Sequence, residues 1–199
     1  LKKRTKKRLL KKIKEHILND LKGVKTIFPP LDDIFNRFYT DFDNLKVVIL
    51  GQDPYHVEAH LSFSVKDVKI PPSLKNIFKE LKSDLLEIPL NDLTPWTKKV
   101  LLLNSILTVV KDIPASHSKI WQNLTDNVIK YISDNKENIV FILWNYAKSK
   151  IDLIDNKKHF IIISPHPSPF SAYNFFGSKP FSKANEFLKS KIEKIDWII

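Results

Sequence analysis

Gly51-Gln52-Asp53-Pro54-Tyr55-His56 follows directly on the apolar run Lys46-Val47-Val48-Ile49-Leu50, so a buried strand delivers an acid, an aromatic ring and an imidazole onto one tight turn. Pro54 stops the strand where Asp53 emerges, and in open α/β sheets the carboxyl ends of strands line the ligand crevice. Such a turn suits a hydrolase without choosing among hydrolases. Three further apolar runs are followed by polar groups of the same kind: Asn104-Ser105, Asn145-Tyr146 and Pro165-His166-Pro167-Ser168-Pro169. A strand-end Asn alone is commonly a turn residue or a cap, and a lone His is commonly structural. Together they describe a pocket with an acid, an amide, an imidazole and aromatic walls, suited to a flat polar ring.

The elements that must position these groups are legible as alternating patterns. Strands are expected over Lys46–Leu50, Val100–Leu103, Ile139–Trp144 and Phe160–Ser164. Helical spacing links Leu74, Ile77, Phe78 and Leu81 after Pro71-Pro72-Ser73, then Leu124, Val128, Tyr131 and Ile132 after Trp121, with a last helix near Ser182–Ile192. Strands alternating with helices predict an α/β fold: a short central four-stranded, mainly parallel sheet flanked by helices on both faces. With 199 residues and 43% hydrophobic content, one domain over residues 1–199 is expected.

Composition excludes several classes. No cysteine is present, so disulfides, thiolate metal sites and cysteine nucleophiles are ruled out. Three glycines, Gly23, Gly51 and Gly177, rule out a phosphate-cradling glycine loop. No run approaches the roughly 20 apolar residues of a membrane span, and the N-terminus is too charged for a signal peptide. A soluble intracellular protein is expected, cytoplasmic in a bacterium and nuclear in a eukaryotic cell or host. Leu1, heading a chain without methionine, leads us to expect residues upstream of it. The net charge of +11 points to a polyanionic partner, yet Leu1–Lys14 carries nine Lys or Arg and no acid, leaving only +2 to the rest. Leu9, Ile13, Ile17 and Leu21 predict an amphipathic helix over about residues 1–22, packing one stripe and solvating its lysines. Nucleic-acid attraction or a nuclear address is the less favoured reading of the same residues.

In order along the chain, Gly51–His56, Leu101-Leu102-Leu103-Asn104 with Leu107-Thr108-Val109, and His166-Pro167-Ser168-Pro169 resemble the uracil-DNA glycosylases of family 1, the uracil-N-glycosylase type. Phe28-Pro29-Pro30, Ile70-Pro71-Pro72-Ser73-Leu74, Phe141-Ile142-Leu143-Trp144, Phe175-Phe176-Gly177 and Ile195-Asp196-Trp197 extend the similarity over nearly the whole chain. The resemblance implies base excision repair: a monomer without metal or organic cofactor hydrolyses the N-glycosidic bond of deoxyuridine in single- and double-stranded DNA, releasing uracil. It also makes a proteinaceous inhibitor and replication or repair proteins candidate partners.

On that resemblance, Asp53 supplies an anion near the developing sugar cation and positions or deprotonates the attacking water, assisted by Gln52, while His166 donates a hydrogen bond to uracil O2. Asn104 reads uracil against cytosine, Phe63 stacks on the ring, and Tyr55 blocks a 5-methyl group. DNA contacts fall to Ser73, Ser168, His56, Pro71 and Pro72. Phe170 stands where the family usually has a leucine wedge. Ser73 is equally suited to capping the helix that begins at Leu74.

Two segments depart from the family pattern. Val57-Glu58-Ala59-His60-Leu61-Ser62 is shorter than the usual loop, and Trp144-Asn145-Tyr146-Ala147 lacks the usual Trp-Gly-Ser. Two rival classes follow. One is a uracil-sensing or replication-accessory DNA-binding module with weak catalysis, against which the retained Asp53 and His166 argue. The other is a metal-dependent hydrolase using Asp53, His56, Glu58 and His60, a spacing that suits a metal only on a helix, whereas Pro54 favours a loop.

Overall fold

In the computed structural model, which describes residues 3–55, 70–86, 93–191 and 193–197, six strands and five α-helices are arranged around one parallel sheet. The strands are β1 (Ile27–Phe28), β2 (Val47–Gly51), β3 (Val100–Asn104), β4 (Val109–Val110), β5 (Val140–Trp144) and β6 (Phe160–Ser164). The helices are α1 (Lys3–Lys22), α2 (Pro72–Leu85), α3 (Ser118–Asn135), α4 (Ala172–Phe175) and α5 (Pro180–Lys191). The main sheet runs β3-β2-β5-β6 with every pairing parallel, and β1 pairs with β4 antiparallel.

The apolar runs are continuous because both sheet faces are covered. Successive strand residues point to opposite faces. Val48, Leu50, Leu101, Leu103, Phe141 and Leu143 pack with Ile13 and Ile17 of α1 and Trp121, Leu124, Ile129 and Ile132 of α3. Their neighbours Val47, Ile49, Val100, Leu102, Val140 and Ile142 pack with Leu74, Ile77 and Leu81 of α2 and Phe181, Ala184 and Leu188 of α5. The chain leaves β2 for β3 on one side, then crosses back to place β5 on the other. That reversal opens a crevice at the carboxyl end of β2, where Asp53 lies.

Two expectations are corrected. Leu21 is exposed rather than packed. A spacing of four residues advances about 400° around a helix, so a stripe that starts at Leu9 has rotated off the core by its fourth member. Ser73 is not a cap either: α2 starts at Pro72, with Pro71 at the N-cap position in extended backbone. Proline fits the first helical turn because its missing N–H would have no intrahelical partner.

The start of α5 is capped from another helix. Asp84 Oδ2 accepts from the backbone N–H groups of Phe181 and Ser182 at 3.0 and 2.8 Å, while buried Glu80 accepts from those of Gly177 and Lys179, both at 2.8 Å. These carboxylates take N–H groups that no helical carbonyl can reach. Asp84→Ala should lower the unfolding free energy by about 1–2 kcal/mol, read as a lower urea midpoint at unchanged m-value.

Candidate active site

Gly51 lies opposite Asn104, and the β2–β3 pairing continues past the strands. Ser105 N–H donates to the Gly51 carbonyl at 3.0 Å and Ile106 N–H to the Gln52 carbonyl at 2.9 Å. The acid-bearing turn and the amide-bearing turn are thereby locked side by side. On the other side of β2, Leu50 pairs with Leu143, and Trp144 at the end of β5 pairs with Ser164, two residues before His166.

A cleft of about 630 Å³ opens at these strand ends, and Gln52, Asp53, Tyr55, His166, Ser168 and Phe170 line it, as the sequence leads one to expect. Pro54, Pro114, Asn145 and Ser171 complete the wall. Another cavity, of about 550 Å³, is walled by Phe38, Phe42, Leu101, Leu124 and Tyr131 among others, and neither a carboxylate nor an imidazole lines it. Of these two cavities, the strand-end cleft is the one lined by groups for acid–base chemistry.

Asp53 is half-buried, and its Oδ2 accepts the backbone N–H of Ala115 at 2.7 Å. A charge-assisted bond of that length fixes the carboxylate's orientation. His166 Nδ1 accepts the backbone N–H of Ser168 at 3.0 Å. A backbone amide can only donate, so Nδ1 presents its lone pair and the neutral ring carries its proton on Nε2. Burial holds the imidazole below its ordinary pKa, and the ring meets Trp144 edge-on at 6.1 Å.

Asn104 is 1% exposed and does not line the cleft directly; its Oδ1 has no hydrogen-bond partner among the described residues. A buried amide oxygen without a donor costs free energy of about 1–3 kcal/mol, which a ligand N–H would recover. The Tyr55 hydroxyl is likewise buried without a partner. Burial raises its phenol above the ordinary range; the Ser73 hydroxyl beside it pulls the other way, although it lies outside hydrogen-bond geometry. Ser73 itself is buried, as is Pro71, whereas Pro72 is exposed.

The His166 loop is braced internally. Ser171 Oγ donates to the His166 carbonyl at 2.6 Å, so in the 2.9 Å contact between the Ser168 and Ser171 hydroxyls Ser168 is the donor. Asn76 of α2 donates to the Pro167 carbonyl at 2.8 Å. Phe170 is fully exposed on the rim, and Tyr173 nearly so. Phe63 and His56 lie outside the described residues, as do His60 and Glu58 of the metal reading.

Sequence reasoning misses Ala115 and Pro114, because a loop between β4 and α3 brings them to the cleft and no local pattern marks them. Ser171 carries one weak signal, its spacing of three from Ser168. Asn145 is visible beforehand as a strand-end residue.

Because burial lowers the pKa of His166, its contribution to stability is full above the usual imidazole value and is lost as pH falls from there toward the lowered one. Ring-nitrogen NMR shifts followed against pH should show a neutral Nε2–H ring that takes up its second proton at a lower pH than an exposed histidine does. Replacement of His166 by Asn should remove that part of the acid-side loss of stability.

The model of the uracil DNA glycosylase superfamily matches residues 38–189. A protein of Brevibacillus brevis named uracil-DNA glycosylase is 52% identical, the match covering 87% of this chain and 81% of that protein. One of Campylobacter hominis with the same name is 54% identical over 93% and 83%. Among solved structures, mimivirus uracil-DNA glycosylase superposes with a TM-score of 0.85 at 30% identity, covering 94% of this chain and 80% of that one. A mimivirus UNG variant in complex with UGI gives 0.88 at 30% identity, over 96% and 83%. With its strand-end cleft on the family's fold and relatives of this identity along most of its length, the chain belongs to the uracil-DNA glycosylase superfamily.

Proposed function

We propose that this protein is a uracil-DNA glycosylase that takes deoxyuridine out of the DNA stack into the strand-end cleft and hydrolyses its N-glycosidic bond. The observation that carries the reading is the convergence of a fixed carboxylate, Asp53, and a neutral imidazole, His166, beside an amide, Asn104, whose buried oxygen lacks a donor. The chemistry needs those three groups.

As the C1′–N1 bond breaks, its electron pair goes to uracil and the sugar becomes cationic. Asp53 is the anion for the sugar, and with Gln52 it holds the attacking water, whose oxygen bonds to C1′ as its proton passes to the carboxylate. His166 donates Nε2–H to uracil O2 as negative charge gathers there. Its Nδ1 is already occupied by the Ser168 N–H, so Nε2 is the nitrogen left to donate. Asn104 Oδ1 accepts N3–H and its amide donates to O4. Cytosine offers a lone pair at N3 and donors at N4, leaving buried groups facing like groups. Tyr55 fills the space a 5-methyl group would need, and Phe63 is the stacking aromatic.

Phe170 is the wedge for the space the flipped base leaves, since a fully exposed aromatic on the cleft rim has no packing role in the free protein. Ser168, His56 and the exposed Pro72 are the contacts for the DNA backbone, and Ser73 and Pro71, largely buried in the free protein, flank Pro72 in the chain. Ser168 gives its hydroxyl proton to Ser171 in the free protein, so a phosphate bond requires that proton to turn outward. A proteinaceous inhibitor that binds the DNA face would cover the same residues.

The direct test is excision from a uracil-containing oligonucleotide beside a thymine control, read by alkaline cleavage of abasic sites. Asp53→Asn should lower the rate by about 100-fold or more; a product independent of uracil, or an unchanged rate in the variant, overturns the reading. Asn104→Asp should gain activity on cytosine relative to uracil. Phe170→Ala should lose far more activity on duplex than on single strands, because only duplex has a stack to wedge.

A further inference from the structure

His117 is 1% exposed, and both its ring nitrogens are engaged: Nδ1 with Thr108 Oγ1 at 2.7 Å and Nε2 with Asp20 Oδ2 at 3.0 Å. Trp121 Nε1 also meets Thr108 Oγ1, at 2.7 Å, and an indole N–H can only donate. The Asp20 carboxylate can only accept, so the proton in the Nε2 contact is that of His117 and points at Asp20. In the neutral ring Nδ1 then accepts from the Thr108 hydroxyl, whose oxygen also takes the Trp121 N–H. Lys25 Nζ holds the other oxygen of Asp20 at 2.6 Å. Lys25 first and His117 second keep the Asp20 carboxyl below its usual pKa. His16, Asp20 and His117 hold ligand atoms within 4.8 Å of one another, but with Asp20 already taking a proton from His117 and a cation from Lys25 the cluster is a satisfied hydrogen-bond chain.

That chain ends on the loop that reaches the cleft. His117 immediately precedes α3, and two residues before it Ala115 donates its N–H to Asp53. Ala115 and Asp112 have φ of 58° and 60°, a region that residues with a Cβ seldom adopt. A loop with two such residues keeps its shape only if its surroundings impose it. Both residues that follow Ala115 are anchored: Ser116 Oγ accepts the Val110 N–H at 2.8 Å, and the His117 ring is held by α1 through Asp20.

We propose that Asp20 and His117 are positioning residues for the hydrolysis: they hold the loop whose Ala115 N–H aims the Asp53 carboxylate. The proposal rests on the reading of Asp53 as the group that acts at the sugar. It makes the carboxyl-terminal turn of α1 part of the catalytic apparatus although α1 does not enter the cleft.

Steady-state excision from a single-stranded uracil oligonucleotide tests it. Asp20→Ala should lower kcat between about 10- and 100-fold with KM and inhibition by free uracil unchanged, because orientation is lost and binding is kept. Asp20→Asn, which retains an acceptor for the His117 proton, should restore most of the rate. His117→Leu is the second variant and should behave as Asp20→Ala. In an Asp53→Asn background, Asp20→Ala should add no further loss. His159, a buried imidazole bonded to the Ser133 carbonyl at the opposite strand ends, is the control: His159→Ala should lose stability and keep kcat. Parent kcat in Asp20→Ala or His117→Leu, a loss matched by His159→Ala, or additivity with Asp53→Asn overturns the proposal. Full activity in Asp53→Asn overturns the reading of Asp53 and this proposal with it; full activity in Asp20→Ala beside an inactive Asp53→Asn overturns this proposal alone.

Discussion

The two hydrogen bonds by which Ser105 and Ile106 donate to the carbonyls of Gly51 and Gln52 carry the β2–β3 ladder beyond the strands, and the cleft depends on them. They set the turn that presents Asp53 against the turn that presents Asn104. A one-residue slip in this pairing would reverse the faces of Val47 through Leu50, exchanging two sets of fully buried side chains. The core on both sides of the sheet therefore enforces the register, and the register in turn holds the acid beside the amide. Stability and chemistry are coupled through the same ladder.

Within that frame the charges in the cleft are kept apart. An imidazolium at His166 would face the Asp53 carboxylate across one cleft of about 630 Å³ and would favour an ion pair between them. Burial and the Ser168 N–H together keep the ring neutral with one nitrogen filled. His166 then carries its proton on Nε2, on the wall it shares with the Asp53 carboxylate.

The four long strands were legible because uninterrupted apolar runs of that length, bounded by turn residues, suit a sheet covered on both faces. Phe160–Ser164 agrees at both ends; β2 and β3 run one residue further, to Gly51 and Asn104, and β2 and β5 start one residue later, at Val47 and Val140. The pairing of Ile27–Phe28 with Val109–Val110 was not legible, since two residues show no period. Within the cleft, side chains could be placed from strand ends alone. The Ala115 N–H could not, because a backbone group has no signature in sequence and its bond to Asp53 spans 62 positions. Ser73 suits a cap in sequence for a local reason: a serine before an apolar run reads as an N-cap, yet Pro72 already supplies a helical φ one residue earlier.

The basic helix is best understood through the same contacts. α1 has its carboxyl-terminal turn fixed at His117 through Asp20, close to the loop that meets Asp53. At about 1.5 Å per residue, Lys11 stands roughly 13 Å and Lys3 roughly 25 Å along the axis from Asp20. None of the described residues lining the cleft is Lys or Arg. Cations so placed on α1 supply no hydrogen-bond donor to the cleft lining; toward a polyanion they would offer only a field, which salt screens beyond about 10 Å. The groups that line the cleft and the cations of α1 thus lie on different parts of the chain, linked through the turn that carries Asp20.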